Sequence, residues 1–269
     1  MKTTRRKTFI SLLLAAAMII TSSITAFADY DDWHELSGYP SGIIYQYQGQ
    51  LDNVSGVGLF LDARIKEKNN QLINTNYMGA MAKLYDTSDV LVASTGVIYN
   101  SIPSQSLYVW TSINQTGSYC GQMMALLAVG YNSNTHKISY AVMNSPMSPY
   151  VYYVSTTNSA EPPVMNAAVS SEEISSGSGY KVNAAGETYG TCRSAEKYED
   201  YPDLIKARGV NGRTGYVRRD DFIYLADSPE DAERYTEDVL DGMTIPVYDL
   251  NGSVIDNFAF TGSNELDAR

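Results

Sequence analysis

Residues 57–65 read VGLFLDARI, with Val57, Leu59, Leu61, Ala63 and Ile65 on alternate positions. Side chains along a strand point to opposite faces in turn, so this spacing predicts a strand buried on one face and open on the other. The runs that follow have strand length and are broken by turn residues. Tyr77–Tyr85 (YMGAMAKLY) is stopped by Asp86-Thr-Ser-Asp89, and Val90–Tyr99 is set to pair back on it. Ser106–Ile113, Tyr119–Tyr131 and Ile138–Met143 continue at regular spacing. The run YCGQMMALLAVGY at 119–131 has the Met, Ala and Leu content of a helix. Gly121 and Gly130 bracket it, and its neighbours are strands, so it is read as a strand. Six strands over 51–155 predict a β-sandwich, of jelly-roll or immunoglobulin-like type.

Upstream, residues 29–50 read as a polar lead-in with one short aromatic run. Residues 1–28 carry Lys2, Arg5, Arg6 and Lys7, then the apolar run Phe9–Ile20, then Ala26-Phe27-Ala28. That order of charge, apolar stretch and small residues is a cleavable secretory signal peptide, with the mature chain starting near Asp29. The apolar run is shorter than the roughly 20 residues of a spanning helix. No membrane span is expected once the signal is removed, and a secreted, extracellular or loosely surface-associated protein follows.

Downstream, residues 156–178 (TTNSAEPPVMNAAVSSEEISSGS) have the composition of a linker. A small β-rich domain is predicted over 179–262, with a tail at 263–269. Asn211-Gly212 marks a hairpin turn. Ser228, Pro229 and Asp231 mark the N-cap, first position and capping box of one helix, with Ala232, Tyr235 and Val239 on its buried face. Glu230 and Arg234 are spaced to pair across one turn of it. Ile245–Tyr248 and Val254–Phe260 form a closing hairpin around Asp249–Gly252. The fold class is therefore mainly β, with one short helix.

The ordered motifs ETYG at 187–190, PDLIKARGVNGRTGYVRRDDF at 202–222, SPEDAERY at 228–235 and IPVYDLNGSVIDNF at 245–258 resemble an uncharacterised module. That module ends secreted or membrane proteins of Gram-positive bacteria, including some members of the β-lactam-sensing transmembrane metalloprotease family. The protease itself is missing, since His34-Glu35 is followed by Leu-Ser-Gly and no HExxH occurs. The resemblance carries no catalytic residues. GRTGYV at 212–217 followed by DDF is also similar to the end of a bacterial Src-homology-type barrel. AKLYDTSDVLVASTG at 82–96 is similar to secreted bacterial β-sandwich proteins of unknown role.

Composition narrows the chemistry. The chain has 30 acidic and 19 basic residues, and losing 1–28 moves its formal charge from −11 to −15. A chain this acidic lacks the cations that nucleic acid demands, so no nucleic-acid partner is expected. Two histidines, His34 and His136, and two cysteines offer no zinc spacing or catalytic triad, so no catalytic or metal residues are assigned. No cofactor is assigned either, although the acids Asp29, Asp31, Asp32 and Glu35 would suit calcium over any other metal. Cys120 and Cys192 either form a disulfide joining the two domains or remain two free thiols. The 22 tyrosines against 6 phenylalanines suit half-buried strands and, second, sugar-binding faces. Trp33 and Trp110 are the ligand-binding candidates, with core packing favoured for Trp110 in LYVW at 107–110. These residues favour a non-catalytic protein associating with the cell envelope or an extracellular glycan or protein partner. The alternative is a secreted hydrolase using acidic residues.

Overall fold

The structure, a computed structural model, describes residues 32–38, 40–54, 58–155 and 179–267. The expected signal peptide, Asp29 and Asp31, and the expected linker at 156–178 lie outside the described residues. The chain is mainly β. Its first strands are β1 (His34–Ser37), β2 (Ile44–Val54), β3 (Gly58–Glu67), β4 (Met78–Asp86), β5 (Leu91–Ser94) and β6 (Ile98–Tyr99). Next come β7 (Ser106–Ile113), β8 (Gly117–Asn132), β9 (Lys137–Asn144) and β10 (Val151–Tyr153). The later part holds β11 (Lys181–Val182), β12 (Thr188–Gly190), β13 (Leu204–Arg208), β14 (Thr214–Arg218), α1 (Arg219–Phe222) and α2 (Pro229–Leu240). It closes with β15 (Thr244–Tyr248), β16 (Val254–Ala259) and β17 (Ser263–Asp267).

Two sheets result. The smaller has the order β1–β2–β3–β7–β17, and the larger follows β10–β8–β4–β5–β13–β14–β15–β16. Strand β9 lies on β8, β6 on β4, and β12 joins β11 to β13. Residues 34–37 and 44–50 of the polar lead-in thus lie in strands, and residues 263–267 of the tail pair antiparallel with β7. The predicted 90–99 strand breaks into β5 and β6, because the chain turns at Gly96 with φ +71°. Thr95 Oγ1 accepts the Ala82 backbone N–H there at 3.0 Å.

Burial explains both the clear and the ambiguous parts of the sequence. Strands β2 and β3 alternate buried and half-buried residues, so one face of the small sheet is packed and the other is open. Strands β4 and β8 are buried almost without interruption. One face of β8 meets the small sheet, where a Cβ on Gly121 would come within 2.7 Å of Leu61 Cδ1. The opposite face is covered by the later chain, with Tyr85 Oη 3.1 Å from Cys192 Sγ. A strand packed on both faces has no reason to alternate.

Residues 51–155 and 179–262, expected as separate domains, meet through several elements. Ala207 of β13 pairs in parallel with Leu91 of β5, and Thr236 Oγ1 of α2 accepts from Tyr99 N at 3.1 Å. Tyr99 Oη donates to Tyr224 O at 2.8 Å, and Asp86 receives Arg208 Nη2 at 2.5 Å. One hydrophobic cluster of the described residues runs from Ile43 to Phe260. Helix α2 keeps its Ser228 N-cap, whose hydroxyl accepts from Asp231 N at 3.2 Å. The capping box is not completed, because the Asp231 carboxylate turns to Asp227 N and Tyr224 Oη. Arg234 pairs with Asp231 rather than with Glu230.

Candidate ligand-binding face

The open face of the small sheet collects side chains that sequence alone scatters over eighty residues. With Leu59, Leu61, Ala63 and Ile65 buried, Phe60, Asp62, Arg64 and Lys66 of β3 must point outward. Register then fixes their neighbours. Gln46, Gln48 and Gln50 of β2 stand opposite Lys66, Arg64 and Asp62. From β7, Tyr108 and Trp110 stand opposite Arg64 and Asp62. Two rows cross the sheet, Gln48–Arg64–Tyr108 and Gln50–Asp62–Trp110. Adjacent strands lie about 4.8 Å apart, close enough for such rows to act as one surface.

Trp33 belongs to this face as well. The Lys66 ammonium sits 4.0 Å above its ring, and Trp33 is half-buried. Cation and aromatic ring attract through the ring quadrupole, which fixes the indole over the sheet. Trp110, for which core packing was favoured, is half-buried on the outer face, while Leu107 and Val109 take the core positions. The structure therefore places both sequence-predicted tryptophans on one face of one sheet. The row of Lys66 lies four positions along β3 from the row of Trp110, which stands at Asp62, a spacing of roughly 14 Å along the strands.

The polar groups between the rings are held in place. Arg64 Nη2 donates to Asp62 Oδ2 at 2.8 Å, and the Arg64 guanidinium lies 5.7 Å from the Tyr108 ring centroid. Gln50 Nε2 donates to Asp52 Oδ1 at 3.1 Å. Beside Trp33, Glu35 receives Gln46 Nε2 and Lys68 Nζ, each at 2.8 Å. Those bonds, Lys68 first, hold the Glu35 carboxyl below the usual carboxylate range, so it stays ionised at neutral pH. The face offers flat rings for stacking and fixed amide, carboxylate and guanidinium groups for hydroxyls or other polar atoms.

Phe60, Tyr108, Asp62, Arg64 and the three glutamines were not singled out from sequence. Parity was the available signal: if Leu107 and Val109 face inward, Tyr108 and Trp110 must face outward. The two cysteines are free thiols, both buried. Desolvation pushes the Cys120 thiol up to about 11 and raises that of Cys192, so both remain protonated at neutral pH. Among the described residues, no group of three or more His, Cys, Asp and Glu side chains is placed to hold a metal ion. A separate cleft of about 250 Å³ opens between β9 and residues 197–199, lined by Tyr140, Val142, Met143, Tyr198 and Leu225. No family model, curated protein or solved structure matches the chain.

Proposed function

We propose that this protein is a secreted, non-catalytic binding protein that engages a glycan of the cell envelope or its surroundings through the open face of the five-stranded sheet. The observation that carries this reading is the gathering of Trp33, Tyr108 and Trp110 on one outward face, interleaved with Gln46, Gln48, Gln50, Asp62 and Arg64. Pyranose rings present an apolar face and a rim of hydroxyls, and an aromatic platform with fixed hydrogen-bonding groups satisfies both. An acidic chain with an open sheet face and an export signal fits an extracellular, uncharged polymer better than a phosphate-rich one.

The test is retention of the secreted chain on insoluble cell wall and on a panel of neutral polysaccharides, each with calcium and with chelator. Retention on at least one polysaccharide supports the reading, and its loss in chelator adds a calcium requirement. Passage through every matrix would refute glycan binding.

A further inference from the structure

Behind the sandwich, where the later chain covers β4 and β8, lies a polar cluster that the open face does not use. Lys83 of β4 is fully buried. Its Nζ donates to Tyr201 Oη at 2.6 Å, Asn144 Oδ1 at 2.7 Å and Gln122 Oε1 at 2.9 Å. None of these three partners is a carboxylate, so the ammonium form has no anion among them to offset its desolvation. Burial accordingly lowers the Lys83 pKa to about 8, which leaves about a tenth of the side chain as free amine at pH 7. Tyr201 Oη touches every atom that would exchange a proton. It receives Asn144 Nδ2 at 2.7 Å and donates to Asn144 Oδ1 at 3.0 Å, besides its contact with Lys83. Burial raises the Tyr201 phenol well above its ordinary value, so it rests as the neutral phenol. Asn144 Nδ2 is further fixed by Ala195 O at 2.7 Å.

We propose that Lys83 and Asn144 condense into an intramolecular isopeptide bond that ties β4 to β9 across β8. The free Nζ attacks Asn144 Cγ, a carbon–nitrogen bond forms, and the carbonyl electron pair moves onto Oδ1. Tyr201 Oη protonates Oδ1 and takes back the proton that Nζ sheds. Collapse of the tetrahedral centre restores the carbonyl and breaks the Cγ–Nδ2 bond, with Tyr201 giving its proton to Nδ2, which leaves as ammonia, and taking the proton that Oδ1 releases. Amine and carboxamide become a secondary amide and ammonia, with no oxidant or reductant. Proximity supplies what the reaction in water lacks: both reactants are anchored within hydrogen-bond distance, and water is excluded from the amine. Gln122 also offers a carbonyl to Lys83. Its Nε2 is directed to Ser145 O at 3.0 Å, away from the Tyr201 hydroxyl, so Asn144 is the electrophile. The bond would give a chain whose cysteines are both free thiols a covalent brace.

Peptide mapping of the secreted chain, denatured and digested with trypsin, tests this. The expected product is a branched peptide uncut after Lys83, joined at Asn144 and lighter than its two linear parts by one ammonia, about 17 Da. The Tyr201→Phe chain, with its fold verified by circular dichroism, is expected to hold a smaller cross-linked fraction at equal age. Separate linear peptides with unmodified Lys83 and Asn144 would overturn the proposal. So would ammonia loss confined to a linear peptide at Asn144-Ser145, which is a succinimide, or a branch ending on Gln122. An unchanged cross-linked fraction in Tyr201→Phe would overturn the role of Tyr201.

Discussion

Replacing Thr236 by Val in α2 removes one oxygen and keeps the shape of the side chain. That oxygen is the acceptor for the Tyr99 backbone N–H at 3.1 Å, and Thr236 and Tyr99 are 3% and 0% exposed. The amide is left inside the protein with its acceptor gone, which costs about 1–3 kcal/mol. In a chain of this size that lowers the melting temperature by roughly 2–12 °C. The useful feature is the reporter. The two tryptophans, Trp33 and Trp110, lie on the small sheet at the far side of the larger one. If the two parts of the chain unfold together, tryptophan fluorescence and far-UV circular dichroism move to the lower midpoint in step. A tryptophan transition left at its original temperature while the dichroism transition falls would refute the shared core and establish two independent units.

Other consequences follow from the same packing. Cys120 and Cys192 are expected to resist iodoacetamide at pH 7.5 in the native chain and to take two labels once denatured, with equal masses with and without reductant. Rapid native labelling, read by intact mass, would contradict the burial of the two thiols. Asp203 has its pKa lowered by hydrogen bonds from Thr188, the hydroxyl at 2.7 Å and the backbone N–H at 2.9 Å. A depressed carboxylate contributes stability above its unfolded pKa, and that stability is lost as pH falls through the lower folded value. Asp203→Asn should therefore lose stability at neutral pH and show a flatter acid limb in urea unfolding from pH 6 to 2. An unchanged limb would count against the Thr188 bonds.

What the sequence disclosed followed from how many faces of each strand are covered. The 57–65 stretch announced itself because β3 has one open face, and the same alternation was present in Leu107–Thr111, where it marks Trp110 as outward. Residues 119–131 were ambiguous with a helix because β8 is packed on both sides, which erases the period of two. Strands β1 and β17 have little apolar signal of their own, since they complete the edges of a sheet whose centre lies elsewhere in sequence. The helix was legible because Ser228 and Pro229 act locally, whereas Asp231 was drawn to Tyr224 and Arg234 by tertiary contacts. The candidate face was half legible: its tryptophans stood out by type, but the partners that surround them are set by register between β2, β3 and β7.

The central claim is that this face binds, and its most direct measurement compares the affinity of the chain from residue 29 onward with that of its Trp33→Ala/Trp110→Ala variant for a polysaccharide that retains it. Both residues are half-buried on an open face, so the variant should keep its fold. Removing the two rings should weaken binding at least roughly 30-fold, the loss of about 2 kcal/mol that marks an aromatic hot spot. Wild-type affinity in a folded double variant would contradict the account.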